Sequence, residues 1–235
     1  MKHARSCIRE IPIIMGLFVG LSLASCHPKP QQQASDQVTA NDAKLVERME
    51  KMHARALQTP GGVSEASDFS SSLSVLFTLG VAKRQSVAPT LVDEAVQCLD
   101  SAKEAQPDST ADLLVRKGEL LLAVGKNEPG TSALRESIAA RPSFRAFTLL
   151  SKIFAAQKQA AEIESLCKKT LPAMKSEETR FAVLDDCLKY NGAATPEAGL
   201  RWAPSKEVSF YKSRHRELER LKQQRIKDEQ KQAKK

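Results

Sequence analysis

The chain has 235 residues with 36 Lys+Arg against 28 Asp+Glu, and 41% of it is hydrophobic while only 5% is aromatic. A core must therefore be built mostly from Leu, Ala, Val and Ile, and no window shows the alternating β-branched pattern of strands, so the expected fold class is all-α. The basic surplus is local: residues 26–204 are neutral, and residues 205–235 carry eleven basic and five acidic side chains.

The chain begins with the three parts of an export signal in order. Lys2, Arg5 and Arg9 form a basic start, Ile11 to Leu23 is an apolar core, and small residues follow. The apolar core is 13 residues by count, with Gly16 and Gly20 inside it, whereas a membrane span needs about 20. Leu23-Ala24-Ser25-Cys26 at its end resembles the lipobox of bacterial lipoproteins. That resemblance implies removal of residues 1–25, a thioether-linked diacylglycerol on Cys26 and a third acyl chain on the new amino terminus. Two or three chains hold a protein stably to a bilayer where one holds it marginally. His27, rather than Asp, follows the cysteine, which in the enterobacterial version of that family resembles an outer-membrane address; the domain is expected to face the periplasm. A nucleic-acid partner is not expected there. Lipid phosphates and cell-wall carboxylates are the anions that a basic tail would meet, with an attraction that salt screens.

Residues 26–41 read as the lipidated N-terminus and a flexible tether, since His27 to Asn41 holds two prolines, the Gln31-Gln32-Gln33 run and few apolar residues. A first, extra helix is predicted over Ala43–Gln58. Leu45, Met49, Met52 and Ala56 share one face of it, Asp42 is its candidate cap, and Thr59-Pro60-Gly61-Gly62 ends it. A serine-rich turn is expected next. The following helix carries Leu73, Leu76, Phe77 and Gly80 and stops before Ala88-Pro89.

From Thr90 an internal period appears. Ala95, Leu99, Ala102 and Pro107 recur 35 residues later as Gly130, Leu134, Ser137 and Pro142, and Leu114, Gly118 and Leu121 recur 33 residues on as Phe147, Ser151 and Phe154. Large, small, large at helical spacing lets one helix nest over the next. The pattern resembles the tetratricopeptide repeat, with units of about 34 residues made of two antiparallel helices. The pairs would be 69–83 with 90–105, 110–125 with 130–140, 144–157 with 160–171, and 177–190 with 196–203, within a repeat domain spanning 42–203. Lys117 stands where that family prefers an apolar residue, Gly130 where it prefers alanine, and Pro172 is early for the closing proline of the third unit. The fourth unit is degenerate, carried by Phe181, Leu184, Leu188 and the Thr195-Pro196 helix start.

The resemblance implies a groove lined by the first helix of each pair, commonly used for an extended peptide or a partner helix. Asp112, Arg116, Glu119, Arg145 and Lys152 are the candidate groove residues, and an envelope protein or peptide is the partner implied. The plainer reading of these charges, solvated helix faces, stands beside it.

Residues 204–235 read as a basic C-terminal capping helix and tail. Its apolar residues are few, Phe210, Tyr211, Leu218, Leu221 and Ile226. Its first half can cover the open end of a repeat array, residues beyond about Arg225 are too polar to bury, and Trp202 is expected at the junction. Arg214, Arg216, Arg220, Lys222, Arg225 and Lys227 are the candidate contacts to anionic wall or lipid.

Cys7 leaves with the signal and Cys26 is acylated, so Cys98, Cys167 and Cys187 remain, an odd number. In an oxidising compartment one disulfide can form, with Cys167 and Cys187 on consecutive predicted helices. Three small buried hydrophobes are the equal alternative. There is no CxxC, HExxH, GxSxG or phosphate-binding glycine loop. The adjacent acids Asp185-Asp186 and Glu177-Glu178 point to different sides of a helix rather than facing each other across a bond. No enzyme, cofactor or metal is expected, and a cell-wall hydrolase is the activity to test against that. Two functions follow: a lipid-anchored interaction scaffold in pilus, secretion or outer-membrane assembly, or a structural tether gripping anionic wall or lipid through its tail.

Overall fold

A computed structural model describes residues 30–190 and 195–232, with side chains from Ala40 onward. The signal segment, the lipobox and Cys26 lie outside the described residues. Eleven helices succeed one another, with no strand among the described residues, as the composition predicts: α1 Pro30–Gln58, α2 Val63–Thr78, α3 Val81–Arg84, α4 Thr90–Ala105, α5 Thr110–Ala123, α6 Asn127–Ala140, α7 Phe144–Ala156, α8 Ala160–Thr170, α9 Glu177–Tyr190, α10 Pro196–Gly199 and α11 Ser205–Gln232. Single 3₁₀ turns at Pro107–Ser109 and Leu171–Ala173 follow α4 and α8.

Local chemistry sets most of the boundaries. α5 ends where Gly125 turns left-handed at φ +79°. The Lys126 amide then donates to the Leu121 carbonyl at 2.8 Å and the Gly125 amide to Leu122 at 3.0 Å, the paired bonds of a Schellman stop. α7 ends in the same way 33 residues later, with Gln159 donating to Phe154 at 2.8 Å and Lys158 to Ala155 at 3.0 Å. There the left-handed position, φ +58°, is filled by Lys158 rather than glycine. Ser143 opens α7 by accepting the Ala146 amide at 3.3 Å, a side-chain cap on an otherwise orphaned donor.

Residues from Thr39 onward form one unit, in which both copies of the periodic positions are core except the closing prolines, Pro107 being exposed and Pro142 half-buried. Ala95, Leu99, Ala102, Leu134, Ser137, Phe147, Ser151 and Phe154 are all buried, each large one stabilising by about 1.5–3 kcal/mol. The closest crossing is α5 on α6. A Cβ placed on Gly118 would lie 2.7 Å from Leu134 Cγ and 3.1 Å from the Gly130 carbonyl. Ser137 Oγ donates to the Ala111 carbonyl at 2.8 Å across the same pair. Lys117, out of place for the repeat, reaches α4 instead, donating to both Asp100 oxygens at 2.9 and 2.8 Å.

The structure departs from the sequence reading in five places, one being the helix expected over 196–203, of which only the single turn α10 Pro196–Gly199 forms. α1 starts at Pro30 rather than Ala43, because proline suits a first helical position and the glutamines and alanines behind it are good helix formers. Residues 30–41 are thus helix where a flexible tether was expected. Asp42 accordingly lies inside α1 and caps nothing: it is buried, and accepts Arg84 Nε at 2.6 Å and Nη2 at 3.0 Å. The serine-rich stretch is not a turn but part of α2, where Ser74 Oγ satisfies itself on the Ser70 carbonyl at 2.9 Å. The helix expected over 69–83 is broken by Gly80 at φ +68° into α2 and the single turn α3.

Candidate functional site

The exposed faces of α2, α5 and α7 meet around a groove of about 580 Å³. α5 is amphipathic around its axis: Leu113, Leu114, Leu120 and Leu121 go into the core, which leaves Arg116, Glu119 and Leu122 on the groove side. α2 contributes Val75, and Leu79 just past its end; these are among the few large apolar side chains left in solvent, at 43% and 55% exposure. α7 contributes Arg145 and Leu149.

Charge at the groove is organised about one carboxylate. Glu119 is mostly covered, at 19% side-chain exposure. It accepts Arg145 Nε at 2.5 Å and Nη2 at 2.8 Å from α7, and Arg116 Nη1 at 3.4 Å from its own helix. Two guanidiniums on one acid leave one positive charge uncompensated beside an apolar floor. Such fork-on-carboxylate pairs also fix the arginines in place, so the groove presents oriented N–H donors.

Of the five charged residues singled out in the sequence, Arg116, Glu119 and Arg145 come together here. The other two lie elsewhere. Asp112 pairs with Arg141, just past the end of α6, which donates through Nη2 at 2.6 Å. Lys152 is exposed and faces the α9 side, where its charge acts on Asp186, a carboxyl held above its usual range chiefly by burial. Val75 and Leu79 were missed because an exposed apolar pair inside a core-rich helix has the same sequence signature as a buried one.

Arg214 of the tail is tied to Glu217, donating at 2.7 Å, and Arg216 Nε donates to the Lys212 carbonyl at 3.2 Å. Arg220, Lys222, Arg225 and Lys227 are exposed and make no ion pair or hydrogen bond among the described residues. α11 is seated only at its start: Arg180 Nη2 donates to both oxygens of buried Glu207 at 2.5 and 2.6 Å, and Tyr211 donates its hydroxyl to Asp185 at 2.8 Å. Burial, then Asp185, pushes the Tyr211 phenol well above its usual range. Trp202 packs at this junction, its indole N–H donating to the Gly199 carbonyl at 3.2 Å.

Cys167 of α8 and Cys187 of α9 are joined, S–S 2.01 Å, in a fully buried disulfide, and Cys98 is a free thiol whose pKa burial raises. His53 is stacked on Phe69 and bonded to Glu94 at 2.7 Å, so it is held in packing between α1, α2 and α4. Among the described residues no helix is long and apolar enough to cross a membrane. The chain matches no protein-family profile, no curated protein and no solved structure.

Proposed function

We propose that the protein is a lipid-anchored scaffold of tetratricopeptide-like helix pairs that holds a partner protein during cell-envelope assembly. The observation that carries this reading is the groove between α2, α5 and α7. These are the first helices of the pairs inferred from the repeat, and between them they expose Val75 and Leu79 beside the fixed Arg116–Glu119–Arg145 cluster. An apolar floor with rim donors suits an amphipathic or extended segment that inserts apolar side chains and sets a carboxylate or carbonyl against the arginines. The Leu23-Ala24-Ser25-Cys26 resemblance supplies the anchor and the compartment.

A photo-crosslinking residue at Val75, in the protein expressed in its native envelope, tests the scaffold reading. One discrete adduct is expected, absent from a control at exposed Glu136 and reduced by Arg116→Glu with Arg145→Glu. Equal labelling at both positions refutes a groove partner. Labelled palmitate incorporated into wild type and not into Cys26→Ala tests the anchor.

The tether reading is favoured by one observation, the unpaired cations Arg220, Lys222, Arg225 and Lys227 on the free part of α11. Changing Arg220, Lys222, Arg225 and Lys227 together to Glu should abolish sedimentation with purified wall or anionic vesicles, and unchanged sedimentation dismisses it.

A further inference from the structure

A second cavity belongs to neither the groove nor the free tail. It is an open cleft of about 600 Å³ at the other end of the repeat domain, where the end of α8, the 3₁₀ turn after it, α9 and the first turn of α11 converge. That is within the range of small-molecule sites, about 300–1,000 Å³. Its apolar surface comes from Leu171, Met174 and Trp202. Because the indole N–H is committed to the Gly199 carbonyl at 3.2 Å, Trp202 offers the cavity its carbon framework rather than a donor.

Four cations line the cavity against one acid, and following each to its partner decides which are available. Arg180 is consumed by Glu207, at 2.5 and 2.6 Å, and by the Phe210 ring, 5.1 Å away. Since Glu207 is buried and answered by Arg180, the only lining acid is neutralised. Lys168 donates to Glu164 at 2.7 Å. Lys175 and Lys206 are exposed and make no hydrogen bond or ion pair among the described residues. The cavity therefore pairs an apolar interior with two uncompensated ammonium groups, brought together from segments far apart in the chain. A neutral apolar ligand would leave the lysines unused, and a simple anion would leave the interior unused.

We propose that this cavity binds a small amphiphilic anion, a carboxylate or phosphate monoester carrying an apolar body, with the head between Lys175 and Lys206 and the body against Trp202, Leu171 and Met174. The site rests on none of the residues of the groove, so each can fail without the other. Trp202 is the chain's only tryptophan, which makes its emission a direct reporter.

The test is a fluorescence titration of the intact protein with octanoate and with octyl phosphate, both below their micelle concentrations. Acetate, inorganic phosphate and octyltrimethylammonium are the controls. Saturable change with either octyl anion is expected, and which of the two saturates at lower concentration identifies the head group. Lys175→Glu with Lys206→Glu should weaken that binding by about tenfold or more. Both side chains are exposed, so an unchanged far-UV spectrum and melting temperature in the double variant will show that the fold is intact. Lys175→Gln with Lys206→Gln should fall between the two. The proposal is overturned if neither octyl anion saturates, if the octyl cation binds as well, if acetate or phosphate alone binds as tightly, or if the double reversal changes nothing.

Discussion

Replacing Gly118 with alanine tests the α5–α6 crossing at its narrowest point. The added methyl would lie 2.7 Å from Leu134 Cγ, 2.8 Å from its Cδ2 and 3.1 Å from the Gly130 carbonyl. Leu134 is fully buried, so it has no empty space to swing into, and the backbone contact yields only if the two helices separate. Overpacking of this kind costs about 1–3 kcal/mol, and two simultaneous contacts place the case toward the upper end. Alanine returns about 1 kcal/mol through helix propensity. The net expectation is a loss of about 2 kcal/mol, or a melting temperature lower by about 4–8 °C for a domain of this size, measured by circular dichroism in a thermal scan and a urea titration. Gly130→Ala meets Leu122 Cγ at 2.9 Å in the same crossing, so the double variant should lose less than the sum of the singles. A Gly118→Ala protein as stable as wild type, or more so, would refute the close approach.

Reducing the Cys167–Cys187 disulfide opens a loop of sequence separation 20. It should lower unfolding stability by about 3 kcal/mol, with Cys167→Ser plus Cys187→Ser matching reduced wild type and ignoring reductant. Lys158 holds a left-handed φ of +58° without being glycine, so Lys158→Gly should raise stability by about 1 kcal/mol, read as a higher urea midpoint. Arg84 lowers the Asp42 carboxyl below the usual carboxylate range. The stability this pair lends is present above the unfolded-state value of about 3.9 and is lost as pH falls through the lower folded value. Wild type should therefore lose more of its urea midpoint than Asp42→Asn between pH 5 and pH 3, and parallel losses would count against the pair.

Most helix limits were legible because their signals are local. Ala88-Pro89, Pro107, Gly125, Pro142 and Thr195-Pro196 punctuate the chain, and the spacing of Leu99, Leu134, Phe147 and Phe154 reports which face is buried. What escaped is decided by distant partners. Asp42 has the composition of a cap, and only Arg84, brought near by the turn of the chain between α1 and α3, makes it an interior ion pair. The serines of α2 look like a turn until Leu73 and Leu76 find a core on α4 and α5. Three groove residues were recognisable by their place on first helices, whereas Asp112 was drawn off by Arg141 and Lys152 toward α9. The cavity beside Trp202 left no sequence signature at all, since a lysine facing solvent and one facing a cavity are spelled alike.

α11 leaves the body after Tyr211 and continues to Gln232 with no core beneath it, the side chains of residues 217–230 being exposed. At 1.5 Å per residue its unsupported part is a rod of about 30 Å. Any surface that Arg220 to Lys227 grip is therefore reached from an outrigger, aimed by a pivot at Glu207 and Tyr211. A ligand in the cavity under the pivot would lie beside Glu207, one of the two residues that aim the rod.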